Sequence, residues 1–254
     1  FIKGVRYKGQ ETRFSETTLL DGEEYYLFKI DDISPKNLSE AFTLEVLLAD
    51  SEGTTATYTV NTSLSKYASS VLASTESAEG KRLVMALLDY VYEMSIDPEL
   101  GGKNADSDGL KAIRKGLDHY KQILNYVREE WDRNAPTPEA GNITDAALRL
   151  ASTPGFIFYL DSTKYATAET VEVTINGVTK SYDVIPAEGN NRYIIVDDIH
   201  VSKYNDTMTV ELDGTSFSYS LGAYMKGYTT IPEYAKALYN YVCAAKAYLE
   251  AQGN

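Results

Sequence analysis

The chain is expected to be an α+β protein built from two tandem repeated lobes, each an antiparallel β-sandwich-like layer followed by a small helical cluster. Three observations carry this. Residues 31–46 (DDISPKNLSEAFTLEV) align without a gap on residues 197–212 (DDIHVSKYNDTMTVEL), with Asp31/Asp197, Asp32/Asp198, Ile33/Ile199, Thr43/Thr209 and Glu45/Glu211 identical. Apolar residues alternate along both copies (Phe42, Leu44, Val46; Met208, Val210, Leu212), the period of a half-buried strand, and the period then changes to that of a helix. Short turn-forming pairs separate the strand-like runs, Asn176-Gly177 being the strongest hairpin signal.

The repeat extends downstream. Tyr58-Thr-Val and Tyr67 are set opposite Tyr219-Ser-Leu and Tyr228, and the helix ALLDYV at 86–91 opposite ALYNYV at 237–242. This divides the chain into lobe 1, residues 1–135, with a β layer and three helices, and lobe 2, residues 136–254, with a β layer and two helices.

In lobe 1 the runs 5–7, 12–20 and 24–30 read as strands, separated by Gly9 and by Asp21-Gly22. The repeated strand follows, then a turn at Ser51-Glu52-Gly53, then a strand over 55–60. Leu64, Tyr67, Val71 and Leu72 mark a short helix with Thr62 or Ser63 as N-cap. Leu83, Leu87, Tyr90, Val91 and Met94 mark a longer one. The loop 97–108 has little apolar content and reads as exposed. Leu110, Ile113, Leu117, Tyr120, Leu124, Val127 and Trp131 recur at alternating steps of three and four, which predicts one helix up to Trp131. It has no evident counterpart in the second copy. Pro136 and Pro138 end it and connect to lobe 2.

Lobe 2 opens near Gly141. Strands are expected at 148–150, 156–160, 171–175, 178–184 and 193–196, then the repeated strand, a strand over 215–219 and two helices. The last helix carries Leu238, Tyr241, Val242, Ala245, Tyr248 and Leu249 on its apolar face.

Composition narrows the function classes. A formal charge of −13 disfavours nucleic acid and anionic membranes, which are bound through clustered Lys and Arg. It suits neutral ligands. No run is long and apolar enough to span a bilayer, so no membrane insertion is expected. No signal peptide is visible, and a chain opening on Phe1 inside a strand-like stretch reads as part of a longer precursor. The single cysteine, Cys243, excludes a disulfide within the chain and a thiolate metal site, and its helical setting predicts a packed thiol.

The chemistry-bearing motifs are missing. There is no nucleophile elbow, Walker loop, dinucleotide fingerprint or HExxH. His119 and His200 lie on different lobes, and no carboxylate pair is singled out, so neither an enzyme nor a cofactor is expected. Asn104-Ala-Asp106-Ser-Asp108-Gly109 has the first half of a calcium loop, but Lys111 and Lys115 stand where an apolar residue and a carboxylate belong. Asp106 or Asp108 capping the following helix explains the same residues, and no metal is expected.

The distinctive number is 21 Tyr against one Trp and seven Phe. A sugar ring stacks its apolar face on Tyr or Trp while its hydroxyl rim bonds Asp, Asn, Lys or Arg. The repeat divides these aromatics. Tyr58/Tyr219, Tyr67/Tyr228 and Tyr90/Tyr241 recur and read as core. The unrepeated rings are candidates for a local task, above all Trp131, Tyr126, Tyr165, Tyr204, Tyr224 and Tyr234, with Tyr92 and Tyr248 behind them. Trp131 stands where the lobes must meet, and clefts between lobes commonly hold ligands.

The DDI-type strand, the Tyr-Ser/Thr-Val/Leu turn into a short helix and the ALxxYV helix together resemble a module of large surface proteins of gut Firmicutes. The likeness is to the starch-adherence proteins of the amylosome. It implies β-sandwich-plus-helix lobes, a groove between them for α-1,4-glucan chains, and residence in a larger secreted cell-surface protein or assembly. It implies a non-catalytic carbohydrate-binding domain for starch or maltooligosaccharides and transfers no binding residue. A protein-binding adhesin, for instance for immunoglobulin, and a structural spacer are the alternatives.

Overall fold

The structure, a computed structural model, describes all residues except 15–16, 21–22, 31–32, 101, 103–105, 132–141, 152–153, 190 and 254. The expected Asp21-Gly22 turn, Asp31-Asp32, Gly101, Asn104, the Pro136–Pro138 connector and Gly141 therefore lie outside the described residues.

Lobe 1 runs β1 (Ile2–Tyr7), β2 (Gln10–Arg13), β3 (Thr18–Leu20), β4 (Glu23–Tyr25), β5 (Ala41–Ala49), β6 (Thr55–Ser63), α1 (Leu64–Ala73), α2 (Ala78–Ile96) and α3 (Asp108–Ile123). Lobe 2 runs β7 (Ile143–Arg149), β8 (Gly155–Leu160), β9 (Thr170–Ile175), β10 (Val178–Asp183), β11 (Ile185–Pro186), β12 (Arg192–Val196), β13 (Met208–Leu212), β14 (Thr215–Tyr219), α4 (Leu221–Lys226) and α5 (Glu233–Ala251). All strand pairs are antiparallel and the fold is α+β. No described helix is long and apolar enough to cross a membrane.

The duplication is visible in sheet order. Lobe 1 has a four-stranded sheet β2-β1-β5-β6, and lobe 2 has β10-β9-β13-β14. The registers agree position by position. Tyr7, Leu44 and Val60 lie abreast in one sheet, as Ile175, Val210 and Phe217 do in the other. Both first hairpins turn through two left-handed residues, Lys8-Gly9 (φ 48° and 80°) and Asn176-Gly177 (φ 50° and 82°). That backbone matches the twist of the flanking strands, and glycine carries the second position without steric cost.

Past the repeated strand the structure corrects the alignment. Ser63 caps α1 by accepting from the Lys66 amide, and Ser220 caps α4 from the Ala223 amide. Ser63 therefore answers Ser220, and Tyr67 answers Tyr224. Tyr58 does not answer Tyr219. The cause is the turn between β5 and β6, which is longer than the two-residue Asp213-Gly214 turn between β13 and β14. Tyr58 and Tyr67 are 64% and 55% exposed, so they are not core, whereas Tyr219 is 2% exposed.

Tyr90/Tyr241 is upheld. The two rings stack on each other, 5.9 Å apart and 9° from parallel, where α2 packs on α5. Equivalent residues in mutual contact are the mark of a local two-fold relation, the intramolecular form of a symmetric dimer interface.

Lobe 2 is a true sandwich. Its second sheet, β11-β12-β8-β7, sends Phe156, Phe158, Leu160, Ile194 and Val196 against Val173, Val210, Leu212, Phe217 and Tyr219. Phe158 meets Phe217 edge-on at 5.6 Å and Tyr219 at 5.3 Å. A separate core joins α1, α2 and α3 through Leu64, Leu72, Met85, Leu88, Ile113 and Leu117. In lobe 1 the strand expected over 24–30 stops at Tyr25.

Candidate functional site

The helix expected to reach Trp131 ends at Ile123. Asn125 adopts the left-handed conformation (φ 48°), and the Tyr126 amide donates back to the Lys121 carbonyl at 3.0 Å. This is a Schellman C-cap, in which asparagine tolerates the positive φ that most residues resist. Asn125→Val is accordingly expected to cost about 1–2 kcal/mol in urea unfolding, and Asn125→Gly close to nothing. Equal losses in the two variants would refute the assignment.

The chain beyond the cap is held between the lobes by buried polar groups. Arg128 donates from Nε and Nη2 to the two carboxylate oxygens of Asp89, at 2.5 and 2.9 Å, from Nη2 to Glu93 at 2.6 Å and from Nη1 to Glu233 at 2.6 Å. Burial works against the guanidinium charge, but hydrogen bonds to Asp89 and Glu93 outweigh it and raise the pKa above its ordinary value. Asp89 is 1% exposed. Its repeat counterpart, Asn240, is also fully buried; its side-chain carbonyl accepts from the Glu129 amide at 3.1 Å, and its amide donates to the Tyr126 hydroxyl. Tyr126 in turn lies 3.4 Å from Asp89. Burial, then the Asp89 charge, push its phenol pKa up, so the hydroxyl stays neutral. Equivalent positions on α2 and α5 thus converge on the Tyr126 hydroxyl and hold the neighbouring residues Arg128 and Glu129.

Beside this segment lies a cleft of about 490 Å³ lined by Glu76, Lys81, Arg82, Met85, Leu124, Asn125, Tyr126 and Val127, with Ala78 at its edge. One wall is the tail of α3, which has no counterpart in lobe 2. The other is the first turns of α2, where Ser77 caps the helix from the Gly80 amide. Arg82 bonds Glu129 at 2.7 Å, tying the two walls together. The apolar floor and charged rim can take a ligand with an apolar face and hydroxyl edges. A hollow of about 550 Å³ beside the Lys8-Gly9 turn is more polar, and its Arg6 is engaged by Glu45 at 2.8 Å and Glu11 at 3.4 Å. It is built on strands that recur in lobe 2.

Of the six rings expected to bind sugar, Tyr126 alone lines the cleft. Trp131 is half-buried against the lobe 2 core, and its indole Nε1 finds no partner among the described residues. Tyr204 and Tyr165 are core residues: Tyr204 packs on Phe156 at 5.0 Å, and the Tyr165 hydroxyl donates to Asp213 at 2.5 Å. Neither presents a ring face to solvent. Tyr224 and Tyr234 come together with Tyr228 in a cluster whose hydroxyls bond one another. Burial pushes Tyr234 up to about 12. Tyr92 packs against the three-helix core, and Tyr248 is half-buried on α5. Met85, Lys81, Arg82 and Asn125 were missed by sequence reasoning; the asparagine inside an unbroken apolar seam was the available signal.

At the junction of the lobes Tyr90 stacks on Tyr241, and Arg128 reaches Glu233 on α5. The cap of α3 is Ser107, which accepts from the Leu110 amide at 3.4 Å, in place of Asp106 or Asp108. Asp106 pairs with Lys111 at 3.8 Å. Among the described residues no group of three His, Cys, Asp or Glu is placed to hold a metal. Cys243 accepts from Asn205 at 3.1 Å, and burial pushes its thiol up to about 11, as suits a packed, unreactive group.

The chain matches no protein-family model and no curated protein.

Proposed function

We propose that this is a non-catalytic carbohydrate-binding module of a larger secreted surface protein, taking a segment of starch-type α-1,4-glucan in the cleft beside the α3 tail. The observation that carries the reading is the Tyr126 ring, standing in the cleft wall with its hydroxyl fixed between Asp89 and Asn240. A platform ordered before the ligand arrives saves the entropy of ordering it on binding. Leu124 and Val127 extend the apolar surface, while Lys81, Arg82, Asn125 and Glu76 supply donors and acceptors for hydroxyls. The formal charge of −13 suits a neutral polymer.

Calorimetry of the chain with maltoheptaose, and retardation in starch gels, test this. Saturable heat is expected for the wild type. Tyr126→Ala is expected to weaken binding by roughly tenfold or more, from the ~1.4 kcal/mol of a lost ring contact. Because that variant also disturbs Asp89 and Asn240, Lys81→Ala and Val127→Ser serve as rim variants with exposed or half-exposed side chains. Absence of heat and retardation for the wild type would sink the proposal. A second reading, a protein-docking module, is favoured by the half-exposed Leu44, Val46 and Val60 on the lobe 1 sheet and does not use this cleft.

A further inference from the structure

The first hairpins of the two duplicated sheets differ at one residue of the turn. In lobe 2 the Asn176 side chain folds back over it. The Thr209 amide donates to Asn176 Oδ1 at 2.9 Å, and the Asn176 amide donates to the Thr209 carbonyl, also at 2.9 Å. A side-chain carboxamide thus completes the edge of β13 at the point where β9 turns away. In lobe 1 the place of Asn176 is taken by Lys8, in the same left-handed conformation (φ 48° against 50°), and Thr43 stands where Thr209 stands. Lysine carries donors and no acceptor. The Lys8 ammonium lies over the Tyr7 ring, 5.3 Å from its centroid, and no side chain among the described residues accepts from the Thr43 amide. The registers of the two sheets agree, so the Thr43 N–H is aimed as that of Thr209 is, and it opens on the 550 Å³ hollow beside the Lys8-Gly9 turn.

The walls of this hollow suit a small neutral group. Tyr7 and Phe42, with ring centroids 6.4 Å apart and planes tilted by 51°, form its apolar side together with Ile33. All three are half-buried, whereas Ile175 and Met208, the counterparts of Tyr7 and Phe42, are buried. Arg6 is neutralised by Glu45 and Glu11, so that wall does not call for an anion. From Leu44 onwards β5 is paired with β1, so the open edge ends at Thr43 and is too short to add a peptide strand.

We infer that the hollow binds an N-acetylhexosamine residue through its acetamido group. The ligand's amide carbonyl accepts from the Thr43 amide, as the Asn176 carboxamide does from Thr209 in lobe 2. The acetyl methyl is left to Phe42 and Ile33, and the ring hydroxyls to the polar rim, in which Asn37 and Glu40 stand. Among sugar substituents the acetamido group is the one that reproduces a carboxamide carbonyl beside a small apolar group, and this ties the ligand class to Asn176. The site shares no residue with the cleft beside the α3 tail, so it goes beyond the glucan reading and each stands or falls alone.

The test is an NMR titration of the whole chain with N-acetylglucosamine, followed at the Thr43 amide. Glucose, which carries a hydroxyl in place of the acetamido group, is the control, and the local readout keeps sugar bound beside α3 from being counted. A saturable shift is expected with a dissociation constant of about 1 mM, the order for a ligand of this size, and at least about tenfold weaker binding of glucose. Lys8→Asn should close the site from within, because its carboxamide reaches the Thr43 amide as Asn176 reaches Thr209. Asparagine is favoured in this left-handed turn, so that variant is expected to fold and to bind at least about tenfold more weakly. Lys8→Gly, which leaves the place open, should bind within about threefold of the wild type. Several outcomes overturn the inference: no shift of the Thr43 amide up to about 10 mM sugar; equal binding of glucose; full binding by Lys8→Asn; or as large a loss in Lys8→Gly, which would make the lysine ammonium the recognising group. An equal response to N-acetylglycine methylamide would also overturn it, by making a peptide the occupant.

Discussion

Replacing Arg128 with alanine is expected to lower the stability of the chain by about 3–5 kcal/mol, the cost of taking its main partner from a buried charge and leaving it Lys121 at 3.8 Å. The charge is Asp89, fully enclosed on α2 and bonded twice by the guanidinium. The same side chain reaches Glu93 and, across the lobe junction, Glu233 on α5. The loss should therefore appear both as a lower urea midpoint and as faster hydrogen exchange along α2 and α5. Asp89→Asn in the Arg128→Ala background should recover part of it by removing the stranded charge. The repeat supplies the precedent, since the equivalent position in lobe 2 is Asn240. If Arg128→Ala changes stability by less than about 1 kcal/mol, as exposed ion pairs do, the enclosure described for Asp89 is mistaken.

The second large effect belongs to Tyr90, whose ring is 2% exposed and stacked on its own repeat counterpart. Tyr90→Ala should cost about 3–5 kcal/mol through cavity formation and loss of the aromatic pair. Tyr90→Phe should act in the opposite direction. The hydroxyl is buried with no hydrogen-bond partner among the described residues, and burial pushes its pKa above the ordinary tyrosine value. Removing an unsatisfied buried hydroxyl deletes a desolvation cost of about 1–3 kcal/mol. A gain near 1 kcal/mol, or roughly 2–4 °C in Tm for a chain of this size, is the expected reading in a thermal melt. A loss of stability in Tyr90→Phe would show that the hydroxyl has a bonding partner after all.

Both effects act at the junction, and the junction is where sequence reasoning was weakest. The helix seam Leu110 to Trp131 is regular in apolar spacing, yet the helix stops at Ile123 because Asn125 takes a left-handed conformation and Arg128 is drawn to three carboxylates on other helices. Spacing reports which residues could share a face; it does not report a competing pull from residues far along the chain. The repeat sorts the tyrosines into core and candidate binders, and several fall on the wrong side for a similar reason. Tyr58 was matched with Tyr219 across hairpins of unequal turn length, and Tyr204, opposite Leu38, proved to be core although unrepeated. Tyr126, unrepeated, does line a cleft.

What the sequence determined by itself is local and periodic. It specified the α+β class, the duplicated strand with its alternating residues, the Asn176-Gly177 hairpin, a cap at Thr62 or Ser63 and the helix pair bearing Tyr90 and Tyr241. Each follows from turn chemistry, capping or the period of one element, which a short window of chain contains. Only the tertiary structure decided which faces are covered. The sheets of the two lobes carry the same alternating pattern, yet one is sealed by β8 and the other stands half-open, because burial depends on a second surface that a strand's own sequence does not encode.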